Sequence, residues 1–306
     1  MKLHLPLSLL SALVAVFAVQ SACAYDIPDQ YANAGIDIYA PQDLDDYRYL
    51  DWSESYMFQF YNSATFNSQT NRNWFDYDSL VSNGYCLFTT AEGATPVSLS
   101  FDGTSRYADD YLQKQVFSTR GVIFANLNKL QVENAGQVRN PDDESWSYYS
   151  TSSGAVGVSY DFSVTEVNEV VFKNNASSYT YNTDPQYWES NTPSSSSVWY
   201  KAYGGAVSAT SVSLCQNGDI TFEGNKVHFD STRDTDNAYT DVSVILYGGA
   251  ISSDIYNSDV IFISDNSGKV SFTGNSVELI QGATSNSSYL EAYGGAVYSN
   301  KKSIII

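Results

Sequence analysis

Apolar and polar positions alternate along much of the chain in the short runs that are typical of β-strands. Clear instances are Glu169–Phe172, Asp219–Phe222 and Val260–Phe262, where the apolar side chains fall on one face of an extended backbone. No stretch combines an apolar period of about 3.6 residues with capping residues, so we expect very little helix. The pattern predicts an all-β protein.

Two motifs recur in alternation along the second half of the chain. One is Phe-x-x-Asn, with phenylalanines 50 residues apart, and the other is Tyr-Gly-Gly-Ala-aliphatic, with glycine pairs 44 and then 46 residues apart. Periods of this size predict an array of stacked units. The motif residues are Phe172, Asn175, Gly204, Gly205, Ala206, Phe222, Asn225, Gly248, Gly249, Ala250, Phe272, Asn275, Gly294, Gly295 and Ala296.

A parallel stack of strands explains why these residue types recur. Equivalent residues of successive units would lie about 4.8 Å apart, so the phenylalanines would form an inward aromatic stack. Each asparagine would occupy the following turn, in left-handed conformation, and bond to the neighbouring asparagine. The two glycines would form a tight corner with positive φ that admits only alanine, so a β-branched residue at Gly205 or Gly249 should clash.

The repeats divide the chain into regions. Residues 25–96, rich in Tyr and Asp, are interpreted as an irregular N-terminal cap, with a disordered acidic arm up to about Asp51 as the alternative. Residues 97–306 would form the β-helix, degenerate to about residue 150 and clear afterwards. Degenerate copies of the repeat motifs are Val97–Thr104, Asn126–Asn134 and Ser153–Val156. The Ser/Asn/Pro-rich stretch Asn175–Val198 is expected to be a long exposed loop.

The N-terminus indicates export, and the charge restricts the possible partners. Lys2, an apolar run from Leu7 to Val19 and Ala22-Cys23-Ala24 form a secretory signal peptide over residues 1–24, too short to span a bilayer. A lipoprotein cleaved at Cys23 is the weaker alternative because Gln20 occupies an aliphatic position. The net charge of −19 becomes −20 once Lys2 is removed, which excludes nucleic acid and anionic lipid as partners.

The alternating motifs resemble those of the chlamydial-type polymorphic outer membrane proteins. The resemblance covers residues 150–306, with traces back to about residue 97. It implies a surface-displayed, autotransporter-type passenger that adheres to host cells, and it links the motif residues named above with adhesion. We therefore predict a right-handed parallel β-helix with a less regular N-terminal cap.

The chain differs from an autotransporter at its C-terminus. An autotransporter ends in a β-barrel of alternating strands, whereas this chain ends nine residues after Val297. We expect a truncated reading frame or a fragment, with membrane association only through a barrel that this sequence does not contain.

The residues that could carry chemistry are few and scattered. The carboxylate sets Asp254, Asp259, Asp265 and Asp161, Glu166, Glu169 match no catalytic spacing, so we assign no catalytic residue. His228 has no second histidine in the mature chain, and we expect no metal or cofactor. Cys86 and Cys215 either form one disulfide or remain buried thiols.

Three functional hypotheses follow. The first is a non-enzymatic cell-surface adhesin or passenger that binds a host protein or glycan through its Tyr-rich loops. The second is a secreted polysaccharide lyase or glycoside hydrolase on the same scaffold. The third is a structural component of the cell surface.

Overall fold

The structure is a computed structural model that describes residues 35–47, 49–51, 53–71, 79–104, 111–113, 115–139, 148–180, 196–230, 240–253, 260–280, 287–300 and 304–305. The predicted signal peptide, residues 1–24, lies outside these residues. Apart from one short 3₁₀ helix at Pro41–Tyr47, the regular secondary structure of the described part is strand. The all-β prediction is confirmed.

The strands follow one another along the chain in this order. They are β1 (Gly35–Ile38), β2 (Ser55–Phe60), β3 (Ala64–Phe66), β4 (Val81–Thr90), β5 (Ser98–Asp102), β6 (Tyr111–Gln113), β7 (Phe117–Glu133), β8 (Gly136–Arg139), β9 (Tyr148–Ser153), β10 (Val156–Val158), β11 (Asp161–Lys173), β12 (Ala176–Thr180), β13 (Ser196–Tyr203), β14 (Val207–Ser208), β15 (Ser211–Cys215), β16 (Asp219–Glu223), β17 (Lys226–Asp230), β18 (Thr240–Tyr247), β19 (Ile251–Ser253), β20 (Val260–Ser264), β21 (Val270–Thr273), β22 (Ser276–Ile280), β23 (Ser287–Tyr293), β24 (Val297–Ser299) and β25 (Ile304–Ile305).

Three sheets contain all of these strands. The main sheet has 16 strands, from β24 through β7 and β11 to β25. The outgoing sheet comprises β22, β17, β12, β8 and β6, and the returning sheet comprises β23, β18, β13 and β9. Within the described residues, neighbouring strands pair in parallel except β6 and β8, which are antiparallel.

Each repeat visits the three sheets in the same order. In one unit the chain passes through β14, β15 and β16 of the main sheet, leaves along β17 and comes back along β18. The next unit begins at β19, directly beside β14. The register is strict, because Phe172 pairs with Phe222 and Phe222 with Phe272. The 50-residue spacing is therefore the path along the chain from Phe222 in β16 through one circuit to Phe272 in β21.

Among the described residues, the units enclose two large hydrophobic cores, beside a small third cluster of Leu87, Ile123 and Ala125. The main core contains the phenylalanine column, in which Phe172 and Phe222 stack with ring centroids 4.9 Å apart and Phe222 and Phe272 at 5.0 Å. The second core lies between the outgoing and returning sheets, and its centre is formed by Tyr179, Tyr200 and Phe229. We call these two sheets with their core the arm.

The arm was not foreseen from the sequence. The stretch expected to be one loop, Asn175–Val198, contains β12 and the beginning of β13, and residues 181–195 lie outside the described residues. Serine-rich segments such as Ser196–Val198 have weak strand propensity. They are strands because they pair in register with Thr240–Val242 of the next unit.

The region predicted as the N-terminal cap, residues 25–96, contributes β1 to β4 to the main sheet in its described part. Phe66 pairs with Phe101, Phe101 with Val132 and Val132 with Phe172. The column of side chains that contains Phe172 therefore extends back to Phe66, with Val132 in place of one phenylalanine. The 3₁₀ helix buries Leu44 in the main core. Parallel stacking thus begins before residue 97.

Candidate functional site

The asparagines of the Phe-x-x-Asn motif form a buried hydrogen-bonded column. Asn175 Nδ2 donates to Asn225 Oδ1 at 2.9 Å, and Asn225 Nδ2 donates to Asn275 Oδ1 at 2.8 Å. Asn225 Nδ2 also donates to the carbonyl of Phe172 at 3.0 Å. The left-handed backbone that we expected at these asparagines lies one residue earlier, at Asn174, Gly224 and Gly274. The asparagines therefore act by satisfying buried polar groups of adjacent units.

A second asparagine column went unnoticed in the sequence. Asn217 Nδ2 donates to the carbonyl of Val164 at 2.9 Å, and Asn217 Oδ1 accepts from the amide of Val167 at 3.1 Å. Asn266 repeats the contact one unit later, with Nδ2 2.9 Å from the carbonyl oxygen of Leu214. The two asparagines are 49 residues apart, and this spacing was the signal that could have revealed them.

The two glycines of each Gly-Gly-Ala block have different roles. The first has positive φ, +46° at Gly204 and +57° at Gly248, as expected for a tight corner. The second has no room for a side chain, because a Cβ at Gly205 would lie 2.3 Å from the Gly249 carbonyl oxygen and 2.4 Å from the Lys226 amide nitrogen. At the following position Ala206 is fully buried.

The two repeat motifs meet at the base of the arm. Lys226, which touches the glycine block at Gly205, directly follows Asn225. Gly249 touches Ser276, which directly follows Asn275, in the same way. The asparagine marks where the chain leaves the main sheet and the glycines mark where it returns. The alternation of motifs is thus explained by closure of each unit.

The outer face of the returning sheet is rich in aromatic side chains. Trp199 and Tyr289 lie in register on either side of Ser243 and are 52% and 55% exposed. Beside them runs a stacked tyrosine column, with centroids 5.1 Å apart for Tyr203 and Tyr247 and 5.4 Å for Tyr247 and Tyr293. Exposed aromatic rings on a rigid sheet are typical of interaction surfaces. We call this surface the aromatic face.

One carboxylate is held in place on the aromatic face. Glu291 accepts hydrogen bonds from the hydroxyl groups of Tyr289 and Tyr293, which lowers its pKa. The same bond from Tyr293 raises the pKa of that phenol to about 12. Both phenols therefore remain protonated donors at neutral pH.

The described carboxylates considered for catalysis are not paired with one another. Burial raises the pKa of Asp161, partly offset by a hydrogen bond from Ser211, while Glu169 binds Lys129 at 2.9 Å. Glu166 and Asp265 occupy left-handed corners, and Asp254 and Asp259 lie outside the described residues. Within the described part of the chain, no three His, Cys, Asp or Glu side chains lie close enough together to hold a metal ion.

The isolated histidine and cysteine are packing residues in this structure. His228 is half-buried, with Nδ1 3.3 Å from Glu278 Oε2 but without hydrogen-bond geometry. Burial and the neighbouring Lys226 lower the pKa of His228, which favours the neutral form. Cys86 is free and fully buried, so it does not bridge to Cys215, and burial raises the pKa of its thiol.

Comparison with known proteins does not assign this chain to a family. No protein-family model, curated protein or solved structure matches the chain. Within the described residues, no helix is long and apolar enough to cross a membrane.

Proposed function

We propose that the chain is an exported, non-enzymatic cell-surface passenger that binds a host protein or glycan. The observation that carries this proposal is the aromatic face, which holds Trp199 and Tyr289 exposed on a sheet whose register is fixed unit by unit. Exposed Trp and Tyr provide large contact areas at little cost in conformational entropy. The motif residues would contribute by holding this surface in register, because their side chains are used in packing and hydrogen bonding.

We further propose that the fold is a right-handed parallel β-helix of the chlamydial-type polymorphic outer membrane protein family. Strict parallel register over successive units supports the β-helix. Crossovers between parallel strands of one sheet are right-handed in about 98% of known cases. An experimental structure of the mature chain tests this directly, since left-handed crossovers would contradict it.

Binding is tested with the mature chain, residues 25–306, labelled and titrated against a panel of cultured epithelial and phagocytic cells. The double variant Trp199→Ser with Tyr289→Ser should weaken saturable binding by about tenfold or more, because interface aromatics dominate binding energy. Tyr39→Ser is the matched control, since Tyr39 is 59% exposed on the N-terminal part of the molecule. Equal binding by the double variant and the control would refute the role of the aromatic face.

Export is tested separately by N-terminal sequencing of the protein from fractionated cells. A mature protein that begins at Tyr25 and is accessible to protease on intact cells is the expected result. A protein that retains residues 1–24 in the cytoplasm would contradict the proposal. No contact among the described residues favours the glycosidase or lyase hypothesis.

A further inference from the structure

A cavity of about 300 Å³ lies where the outer face of the main sheet meets the returning sheet. Its wall is formed by main-sheet residues that include Asn83, Ser118 and Thr119, and by Ser153 and Tyr203 of the returning sheet. A volume of this size is at the lower end of the range for small-molecule sites. It is separate from the exposed positions Trp199 and Tyr289, which do not line it.

The cavity arises where one residue departs from the repeat pattern. Ser153 pairs with Tyr203 and occupies the place that Tyr203, Tyr247 and Tyr293 fill in later units. Gly157 pairs with Ser208 at the floor of the cavity, where Gln115 Nε2 and Ser153 Oγ already occupy the position that a Cβ would take. The later units fill this column with stacked rings. The first unit therefore leaves open the position that a tyrosine ring fills in the later units.

The lining has the chemistry of a polyol site. Its residues from the described part of the chain carry hydroxyl and amide groups but no charge, although the chain as a whole has a net charge of −19. Hydroxyl groups both donate and accept hydrogen bonds, as the hydroxyl groups of a sugar do. The Tyr203 ring adds an apolar surface to this wall.

One lining hydroxyl lacks a partner. Thr119 is 3% exposed, and its Oγ1 has no hydrogen-bond partner in the part of the chain that the structure describes. Buried polar atoms almost always have partners, from the protein, water or a ligand. The neighbouring Gln115 Nε2, by contrast, donates to Ser153 Oγ at 2.6 Å. Thr119 thus places an unsatisfied hydroxyl at the wall of the cavity, which a bound molecule reaches once the Thr119 side chain rotates.

We propose that this cavity binds one uncharged sugar unit, as a free monosaccharide or as the end of a neutral glycan. An anionic ligand would meet no cation among the described lining residues and would be repelled by the acidic chain. A purely apolar ligand would leave the Thr119 hydroxyl without a partner. This site does not depend on the proposed function, because Trp199 and Tyr289 do not line it and it binds its ligand in solution without a host cell.

The test is saturation-transfer NMR on the mature chain, titrated with glucose, galactose, mannose and N-acetylglucosamine, with N-acetylneuraminic acid as the charged comparison. At least one neutral sugar should bind saturably, and the acidic sugar should not. Ser153→Tyr restores the residue of the later units and fills the space, so it should weaken binding more than about tenfold while the fold is kept. Intact near-UV circular dichroism and an unchanged or higher unfolding midpoint would show that the fold is kept.

Two further variants separate a ligand contact from a packing effect. Thr119→Val keeps the shape and removes one hydrogen bond, so it should weaken sugar binding about three- to tenfold. Ser252→Ala is the control, because Ser252 Oγ is also buried without a described partner but does not line the cavity. It should leave sugar binding unchanged.

Three results would overturn the proposal. They are absence of binding by every neutral sugar, which would leave the cavity to water alone; undiminished binding by Ser153→Tyr; and equal losses in Thr119→Val and Ser252→Ala. Failure of cell adhesion with intact sugar binding would reject only the role of the aromatic face.

Discussion

At the scale of single residues, buried amides fix the register of the stack. The side chain of Asn225 takes part in four hydrogen bonds, to Asn175 and Phe172 of the preceding unit and to Asn275 of the next. Because each amide serves two units, removing one leaves several buried polar groups unsatisfied. Such positions tolerate little besides asparagine, which has both a donor and an acceptor on a short side chain.

Asn225→Ala should lower the free energy of unfolding by about 3 kcal/mol or more, since each buried group left unsatisfied costs about 1–3 kcal/mol. Urea denaturation of the mature chain measures the change. Asn128→Ala is the control, because Asn128 is exposed and its side chain makes only exposed contacts, with Ser98 Oγ at 3.1 Å and Asn168 Nδ2 at 3.4 Å. The control should change stability by less than about 0.5 kcal/mol. Similar losses in both variants would contradict the role of the column.

The second glycine of the block provides a sharper comparison within one motif. Gly205→Ala would place Cβ 2.3 Å from a backbone oxygen, whereas a Cβ at Gly295 meets no described atom within 4 Å. We expect Gly205→Ala to cost about 3 kcal/mol or more through backbone displacement and Gly295→Ala to change stability by less than about 0.5 kcal/mol. Thermal and urea unfolding of both variants measure this difference. Equal losses of stability in the two variants would contradict the role of close packing at Gly205.

At the scale of elements, the arm is a structure with a core of its own. Phe229 is fully buried between Tyr179 and Tyr200, with centroids 5.9 and 5.8 Å away. The Tyr200 hydroxyl lies 2.7 Å from Ser152 Oγ, which satisfies a polar group in this core. Since the arm buries fewer residues than the main core, it should open at a lower free energy.

Phe229→Ala should therefore loosen the arm and leave the main sheet intact. Truncating a buried phenylalanine typically costs about 3–5 kcal/mol. Native-state hydrogen exchange should show lost protection in β17 and β18 and unchanged protection in β7 and β11. Phe222→Ala is the matched comparison in the main core, and it should lower protection in all of these strands. Uniform loss in Phe229→Ala would show that the two cores unfold as one.

The sequence predicted the elements of the main sheet better than those of the arm. Glu169–Phe172 and Asp219–Phe222 alternate because one face of each strand is buried, so the pattern was readable locally. Ser196–Tyr203 is a strand because it lies between β9 and β18, which no local pattern indicates. The cavity was equally hidden, since Ser153 becomes informative only once it pairs with Tyr203.

At the scale of the whole molecule, the units behave as modules in a linear stack. Tyr203 and Tyr247 occupy equivalent positions, so residues 204–247 form one complete circuit through the three sheets. In such a stack each unit contacts mainly its neighbours, and stability is approximately a sum over units and interfaces. Removal of a whole circuit should therefore preserve every column.

Deletion of residues 204–247, which joins Tyr203 to Gly248, should give a folded protein with a smaller urea m value, since less surface is buried. Deletion of residues 204–225 is the control, because it joins Tyr203 to Lys226 and removes the main-sheet strands of that unit. Circular dichroism and urea unfolding distinguish the two outcomes. If the 204–247 deletion failed to fold, the modular description of the chain would be wrong.

The sequence by itself determined the all-β class of the fold, the period of the repeat and the identity of the residues that stack. These follow from local alternation and from exact recurrence, because equivalent residues of successive units must make the same contacts. Only the tertiary structure decided where the left-handed residues lie, that the inserted segment forms an arm, and that Ser153 opens a cavity. Those features depend on neighbours 40 to 50 residues away in the chain, whose backbone groups and side chains set the space at each position.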